Sequence, residues 1–249
     1  MVTLQCDVRQ QAPRYHVRHD PHCRAMSHTP PQQLHPPTAH DKAYLRHLLS
    51  QRNQFPANAA AVDAAIHQAF VRDVAILVVD MCGFSRITQS HGIVHFLAMI
   101  HQMEQAARPA IEGNGGEVVK QEADNLFAIF STAEQALEAA LDTLRALNAM
   151  NVVLPPERAL HISAGIGYGP SLVIAQEDLF GEEMNCACKL GEDVAAAGEI
   201  LLTAAACGAL PAGRYACSLT HYRVSGIDLA AHRFEECLYE RPLGPKPGA

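Results

Sequence analysis

Apolar positions recur along the chain with two different periods, and the points where the period changes divide it into elements. Residues 74–79 (VAILVV) are apolar at every position, which predicts a strand covered on both faces. Residues 85–112 carry a helical period that predicts a long helix, interrupted or kinked near Pro109. Gly115 and Gly116 lead into a predicted strand at 117–121, and a turn over 122–125 leads into another at 126–130. Thr132 stands where a cap is needed for a helix reaching about Met150. Strands are predicted at 160–167, 170–174 and 199–203, with a helix over 183–194. Short strands and turns follow, and Pro242, Pro245 and Pro247 close the chain. Ahead of the first strand, residues 41–53 and 58–70 each put an apolar stripe on one helical face, with Asp41 as N-cap of the first. The order βαββαβ with hairpins predicts an α+β sandwich rather than a doubly wound sheet.

Residues 1–40 are a different polymer. Prolines at 13, 21, 30, 31, 36 and 37 leave no apolar period, and the rest is rich in His and Gln. This composition reads as a solvated tail whose histidines bind metal only adventitiously. The expected division is therefore a tail over 1–40, two helices over 41–71 and a core domain over 72–249.

Composition narrows the partners. A net charge of −7 argues against a nucleic-acid-binding surface. Eight cysteines without a CxxC pair, with Cys186 and Cys188 only two apart, suit reduced thiols rather than a zinc knuckle or disulfide framework. No apolar run approaches the roughly 18 residues that a membrane span needs. The expectation is a soluble, cytoplasmic protein with no membrane partner.

Candidate chemistry lies where predicted strands end. VVDMCGFSRIT puts Asp80 at a strand end before a glycine turn that feeds a helix, a place where backbone N–H groups attract phosphate. By itself such an aspartate is a turn former or a cap. Asp124, on the turn after Lys120, supplies a second carboxylate, and two carboxylates at one sheet end can hold divalent cations on a phosphate. Asn185 and Lys189 stand at i and i+4 on one predicted helix face, which alone reads as a solvated face. Lys120 alone reads as a strand-surface lysine.

VVDMCGFSRIT, GGEVVKQEADNLFAIF, HISAGIGYGPSLV and DLFGEEMNCACKL, in that order, resemble the catalytic domain of class III nucleotidyl cyclases over roughly residues 72 to 205. The resemblance implies a ferredoxin-like α+β core working as a head-to-tail homodimer with composite sites. It implies that Asp80, Asp124 and the Met81 carbonyl bind two divalent cations, Mn²⁺ or Mg²⁺. It makes Cys82, Gly83, Phe84 and Ser85 the phosphate loop, and Lys120 with Asp178 the pair that reads the base of a nucleoside triphosphate. Asn185 would orient the ribose, and Lys189 would take the place where the family usually has arginine. Metals and phosphate loop would come from one protomer, base-reading and transition-state residues from the other. Arg223 is a candidate for the terminal phosphates.

One donor and one acceptor at Lys120 and Asp178 can be satisfied by adenine, cytosine or uracil. The family usually has glycine before the second aspartate, where this chain has Glu122 and Ala123, so an altered, tighter base site is expected. The whole chain also resembles the stand-alone bacterial pyrimidine cyclases of anti-phage signalling, whose product is read by a separate effector protein. That likeness favours a uridylate cyclase, UTP to cyclic UMP. The alternatives are an adenylate cyclase and a degenerate, non-catalytic cyclase-like regulatory domain.

Overall fold

Strand β1, Val71–Met81, is the centre of the fold, and residues 74–79 are buried as a continuous block. Ala75, Leu77, Val79 and Met81 point into one hydrophobic core, while Val74, Ile76 and Val78 point into another. The period-2 geometry of a strand makes this possible, since alternate side chains leave opposite faces. The uninterrupted apolar run therefore reports two covered faces, as expected. Both of its neighbours, however, run antiparallel to it.

The computed structural model describes residues 41–83, 89–224 and 227–238. The expected tail over 1–40, Phe84 and Ser85 of the expected phosphate loop, and the closing prolines lie outside the described residues. The helices ahead of β1 are α1, Lys42–Gln54, and α2, Ala59–Phe70. Asp41 caps α1, accepting from the Tyr44 N–H at 2.7 Å. After β1 come α3 (Ile93–Gly113), the hairpin β2 (Glu117–Glu122) and β3 (Asn125–Phe130), α4 (Ala133–Asn151) and β4 (Ile162–Ile174). Then follow β5 (Asp178–Phe180), α5 (Glu182–Cys188), a π-helical segment (Lys189–Val194), β6 (Ile200–Leu202) and α6 (Ala204–Gly208). The strands β7 (Tyr215–Val224) and β8 (Ile227–Cys237) end the described chain.

The sheet runs β2-β3-β1-β4-β6-β8-β7, with β5 paired to β4. Its first four strands, with α3 between β1 and β2 and α4 between β3 and β4, make the ferredoxin-like βαββαβ unit. One face carries α3 and α4: Phe96, Met103 and Ile111 of α3 and Leu137 and Leu147 of α4 bury against the inward residues of β1 and β3. The capping box between Thr132 and Gln135 starts α4 where its sequence predicts. The opposite face is covered in part by α5, through Met184 and Ala187. Leu45 and Leu48 of α1 and Val62, Ile66 and Phe70 of α2 form a separate core against Ile174 and Leu172 of β4.

Four expectations change. The helix expected from residue 85 is interrupted at Gly92 (φ +83), not at Pro109, which lies inside α3. Gly92 is the one residue there with no Cβ to oppose that conformation. The strands expected at 160–167 and 170–174 are one continuous strand, because Pro170 pairs with Asp73 of β1 without breaking the ladder. The helix expected over 183–194 changes to π geometry at Lys189. The end of the described chain is a long two-stranded hairpin rather than short strands. Among the described residues no helix is long and apolar enough to cross a membrane.

Candidate active site

The site is built from ends of the sheet. Val79 pairs with Leu126, so Asp80, next after Val79, and Asp124, two residues before Leu126, reach the same edge. Asp124 occupies the two-residue β2–β3 connection, since Glu122 and Asn125 are the last pair of the hairpin. The other connecting residue, Ala123, has φ +51, the left-handed region that a Cβ disfavours. This is the place where the sequence departs from glycine.

Asp80 feels the charge of Asp124. Burial first, and then the charges of Asp124, Glu192 and Asp193, push the Asp80 carboxyl up to about 7. Burial also pushes Asp124 up. Among the described residues the charges that act on Asp80 are acidic, those of Asp124, Glu192 and Asp193. Among the described residues no group of three or more His, Cys, Asp or Glu side chains is arranged as a metal centre. Two carboxylates without a cation still fit a magnesium-like ion, which keeps several waters and takes its other ligands from substrate phosphates. Glu192 and Asp193 add to the negative field from the π-helical segment. No sequence signal marks them, because their proximity to Asp80 depends on how that segment crosses the sheet.

Met81 is buried, and the Cys82 N–H donates to the carbonyl oxygen of His161 at 2.8 Å, which holds the strand pairing one residue past the expected ligands. Burial raises the Cys82 thiol, which lies 3.5 Å from the Ser163 hydroxyl, so it stays protonated. Gly83 (φ +96) makes the turn that follows.

The sequence-predicted base pair of residues is in contact. The Lys120 Nζ lies 2.9 Å from Asp178 Oδ1 and 2.9 Å from Glu122 Oε1, and 4.9 Å from the centre of the Phe127 ring. Asp178 also accepts from the Leu179 N–H at 3.0 Å. Burial opposes ionisation of both groups, but their mutual hydrogen bond and charge win: Lys120 is held above its ordinary value and Asp178 below. Lys42, on α1, reaches Asp178 Oδ2 at 3.4 Å. Sequence reasoning missed Lys42, which lies 136 residues from its partner with no motif around it.

Asn185 and Lys189 remain stacked by helical geometry, since the Lys189 N–H donates to the Asn185 carbonyl before the π turn begins. Neither side chain has a hydrogen-bonding or ionic partner among the described residues. π-Helical turns within helices are frequent at functional sites. Arg223 stands on β7 at the far side of the sheet, paired across the hairpin with Asp228, and the described residues do not bring it to the carboxylates.

Comparison with known proteins agrees with this architecture. The adenylate/guanylate cyclase/hydrolase of Silicibacter pomeroyi superposes with a TM-score of 0.55 at 25% identity, covering 66% of this chain and 95% of that one. The guanylyl cyclase Cya2 superposes with a TM-score of 0.59 at 15% identity, covering 70% and 96%. By sequence, the chain is 28% identical over 119 residues to a putative adenylate cyclase of Rhizobium meliloti, and 27% identical over 166 residues to an uncharacterized protein of Mycobacterium tuberculosis. Those matches take in 48% and 66% of this chain but only 20% and 40% of the relatives' own lengths. No protein-family model matches the chain. The chain has the mixed α+β fold of class III nucleotide cyclase catalytic domains.

Proposed function

We propose that this chain is a nucleotidyl cyclase that converts a nucleoside triphosphate to its 3′,5′-cyclic monophosphate and pyrophosphate. The observation that carries the reading is the Asp80–Asp124 carboxylate pair on the same sheet as the Lys120–Asp178 ion pair, within a cyclase-like fold. In the reaction the ribose 3′ oxygen bonds to the α-phosphorus, the bond to the bridging oxygen breaks, pyrophosphate leaves and the hydroxyl proton goes to solvent. Divalent cations, Mn²⁺ or Mg²⁺, when held by Asp80 and Asp124 with the Met81 carbonyl, supply the lowered hydroxyl pKa and the neutralised phosphate charge.

The protein's own groups do the rest. Cys82 and Gly83 begin the turn expected to cradle phosphate, with Phe84 and Ser85. Asn185 orients the ribose so that its hydroxyl lies in line with the leaving group. Lys189 sets positive charge beside the α-phosphate, as a point charge rather than a two-pronged clamp. In a head-to-tail homodimer these two would serve the substrate whose phosphates rest on the other protomer. Their lack of partners within the described residues supports that division.

The finer reading is a uridylate cyclase making cyclic UMP as a messenger in anti-phage defence, read by a separate effector. The crowding of the base site by Glu122, which engages Lys120 directly, supports a departure from the purine pattern. An adenylate cyclase is the second reading, favoured by the intact Lys120–Asp178 pair. Incubation of purified protein with each of the four triphosphates and Mn²⁺, with chromatography of the products, tests both levels. Cyclic UMP as the main product supports the finer reading; cyclic AMP as the main product replaces it. No cyclic product from any triphosphate, with an Asp124→Ala protein indistinguishable in metal binding, removes the cyclase reading.

A further inference from the structure

Asp178 has two carboxylate oxygens, and the structure fills them unequally. Oδ1 takes two donors, the Lys120 ammonium at 2.9 Å and the Leu179 N–H at 3.0 Å, which uses both of its lone pairs. Among the described residues Oδ2 takes only the Lys42 ammonium, at 3.4 Å, and so keeps one lone pair available. Lys120 spends two of its three N–H groups, on Asp178 and on Glu122, and keeps one. Lys42 spends one and keeps two. Along Lys120, Asp178 and Lys42 the hydrogen-bonding capacity left over is thus a donor, an acceptor and a donor in that order.

We infer that Lys42 is a base-specificity residue, and that Lys120, Asp178 and Lys42 form a donor–acceptor–donor row complementary to the O4, N3–H and O2 edge of uracil. The inference rests on the cyclase reading above and sharpens its substrate. Uracil offers acceptor, donor, acceptor along that edge. Cytosine can place its N3 on Lys120 and its amino group on Asp178, but it then presents only its C5–H to Lys42. Guanine offers acceptor, donor, donor, which puts an amino group against Lys42. Adenine can place N1 on Lys120 and its amino group on Asp178, but its next acceptor, N7, lies on another edge of the purine and points away from the row, leaving Lys42 without a partner. Two groups alone leave adenine, cytosine and uracil open; the third discriminates among them. A partly enclosed polar group left unpaired by the wrong base is the strong form of discrimination.

The position of Lys42 is fixed by packing. It lies in the first turn of α1, one residue after the Asp41 cap. Leu45 and Leu48 tie α1 through α2 to Ile174. Ile174 in turn pairs with Asp178 across the β4–β5 hairpin. The helix that brings the second ammonium is thus seated on the strand that presents the carboxylate. Lys42 is 39% exposed and the Asp178 carboxylate 16%, so the row opens to solvent on the Lys42 side, where a base can enter.

The test compares wild type, Lys42→Met and Lys42→Arg, with Mn²⁺ and each of UTP, CTP, ATP and GTP. Thermal melting of all three proteins first establishes that they are equally folded. The expected result is a wild-type preference for UTP. In Lys42→Met the UTP-to-ATP ratio of kcat/KM should fall by roughly 10- to 100-fold, the worth of one charge-assisted hydrogen bond, mainly through KM. Lys42→Arg, which keeps a donor, should recover part of it. Equal losses for all four substrates, or an unchanged ratio, would overturn the role of Lys42. A wild type that prefers ATP would overturn it while leaving the cyclase reading intact. If no triphosphate is cyclised, the cyclase reading fails and calorimetric binding of UTP and ATP decides the matter. Tighter binding of UTP, lost in Lys42→Met, then supports the row, and any other pattern overturns it.

Discussion

A Cβ atom on Gly165 would lie 2.0 Å from the carbonyl oxygen of Ala187. The helix α5, which carries Asn185 and leads into Lys189, therefore touches the backbone of β4, and the same holds at Gly167, where a Cβ would meet the Glu183 carbonyl oxygen at 2.5 Å. The alternating glycines of HISAGIGYG are a groove into which α5 sinks. Because the obstructing atoms are backbone, no side-chain rotation relieves the contact. Gly165→Ala is expected to cost about 3 kcal/mol or more. Thermal denaturation should show a melting point lower by about 6–12 °C. An unchanged melting point would mean that α5 does not pack this closely.

Ala123 is a second place where backbone geometry can be tested, with the opposite sign. Its φ of +51 is uncomfortable for alanine and easy for glycine. Ala123→Gly should stabilise the protein by about 1 kcal/mol, a rise of about 2–4 °C in melting temperature. A fall would show that entropy lost from the unfolded chain outweighs the relief of strain.

The Asp80 carboxyl gives a pH signature in the absence of divalent cations. Burial, then Asp124 and the two acidic residues of the π segment, hold it near 7 against an ordinary value of 3.8. Below the lower value both folded and unfolded chains are protonated there, and the folded state carries no penalty. As pH rises toward 7 the unfolded chain ionises first, so stability from this group is lost across that window and is fully lost above it. In EDTA, Asp80→Asn should flatten that decline and melt a few degrees higher than wild type at pH 8. Added Mn²⁺ should raise the melting point of wild type but not of Asp80→Asn. A variant with the wild-type pH profile would show that Asp80 is not the group responsible.

Shared sites predict complementation. Asp124→Ala and Asn185→Ala homodimers should each lose about 10²-fold or more in kcat. A mixture unfolded and refolded together should recover about a quarter of wild-type activity, since half of the dimers are mixed and each holds one intact site. A mixture no more active than its parents would place both residues in the same protomer's site.

Much of this molecule was legible before any coordinates. The apolar block at 74–79, the caps at Asp41 and Thr132 and the glycine turn after Asp80 are local signals, and each element appears where its signal stands. The break falls at Gly92 and not at Pro109 because Pro109 lies within a helix held by Met103, Ala107 and Ile111 in the core, and that packing outweighs the local preference of proline. The long β7–β8 hairpin was missed because most of its side chains are exposed or only half-buried, so no clean alternation of apolar and polar residues marks its strands.

The amino-acid sequence by itself determined which residues could carry the chemistry and on which elements they stand, because capping, periodicity and turn formation act over a few residues. Only the tertiary structure decided which of them meet. Lys42 and Asp178 are 136 residues apart, and Glu192 and Asp193 reach Asp80 from a segment far along the chain. Such contacts follow from strand register and from the depth at which α5 sits on Gly165, quantities that depend on the whole sheet and leave no mark near the residues themselves.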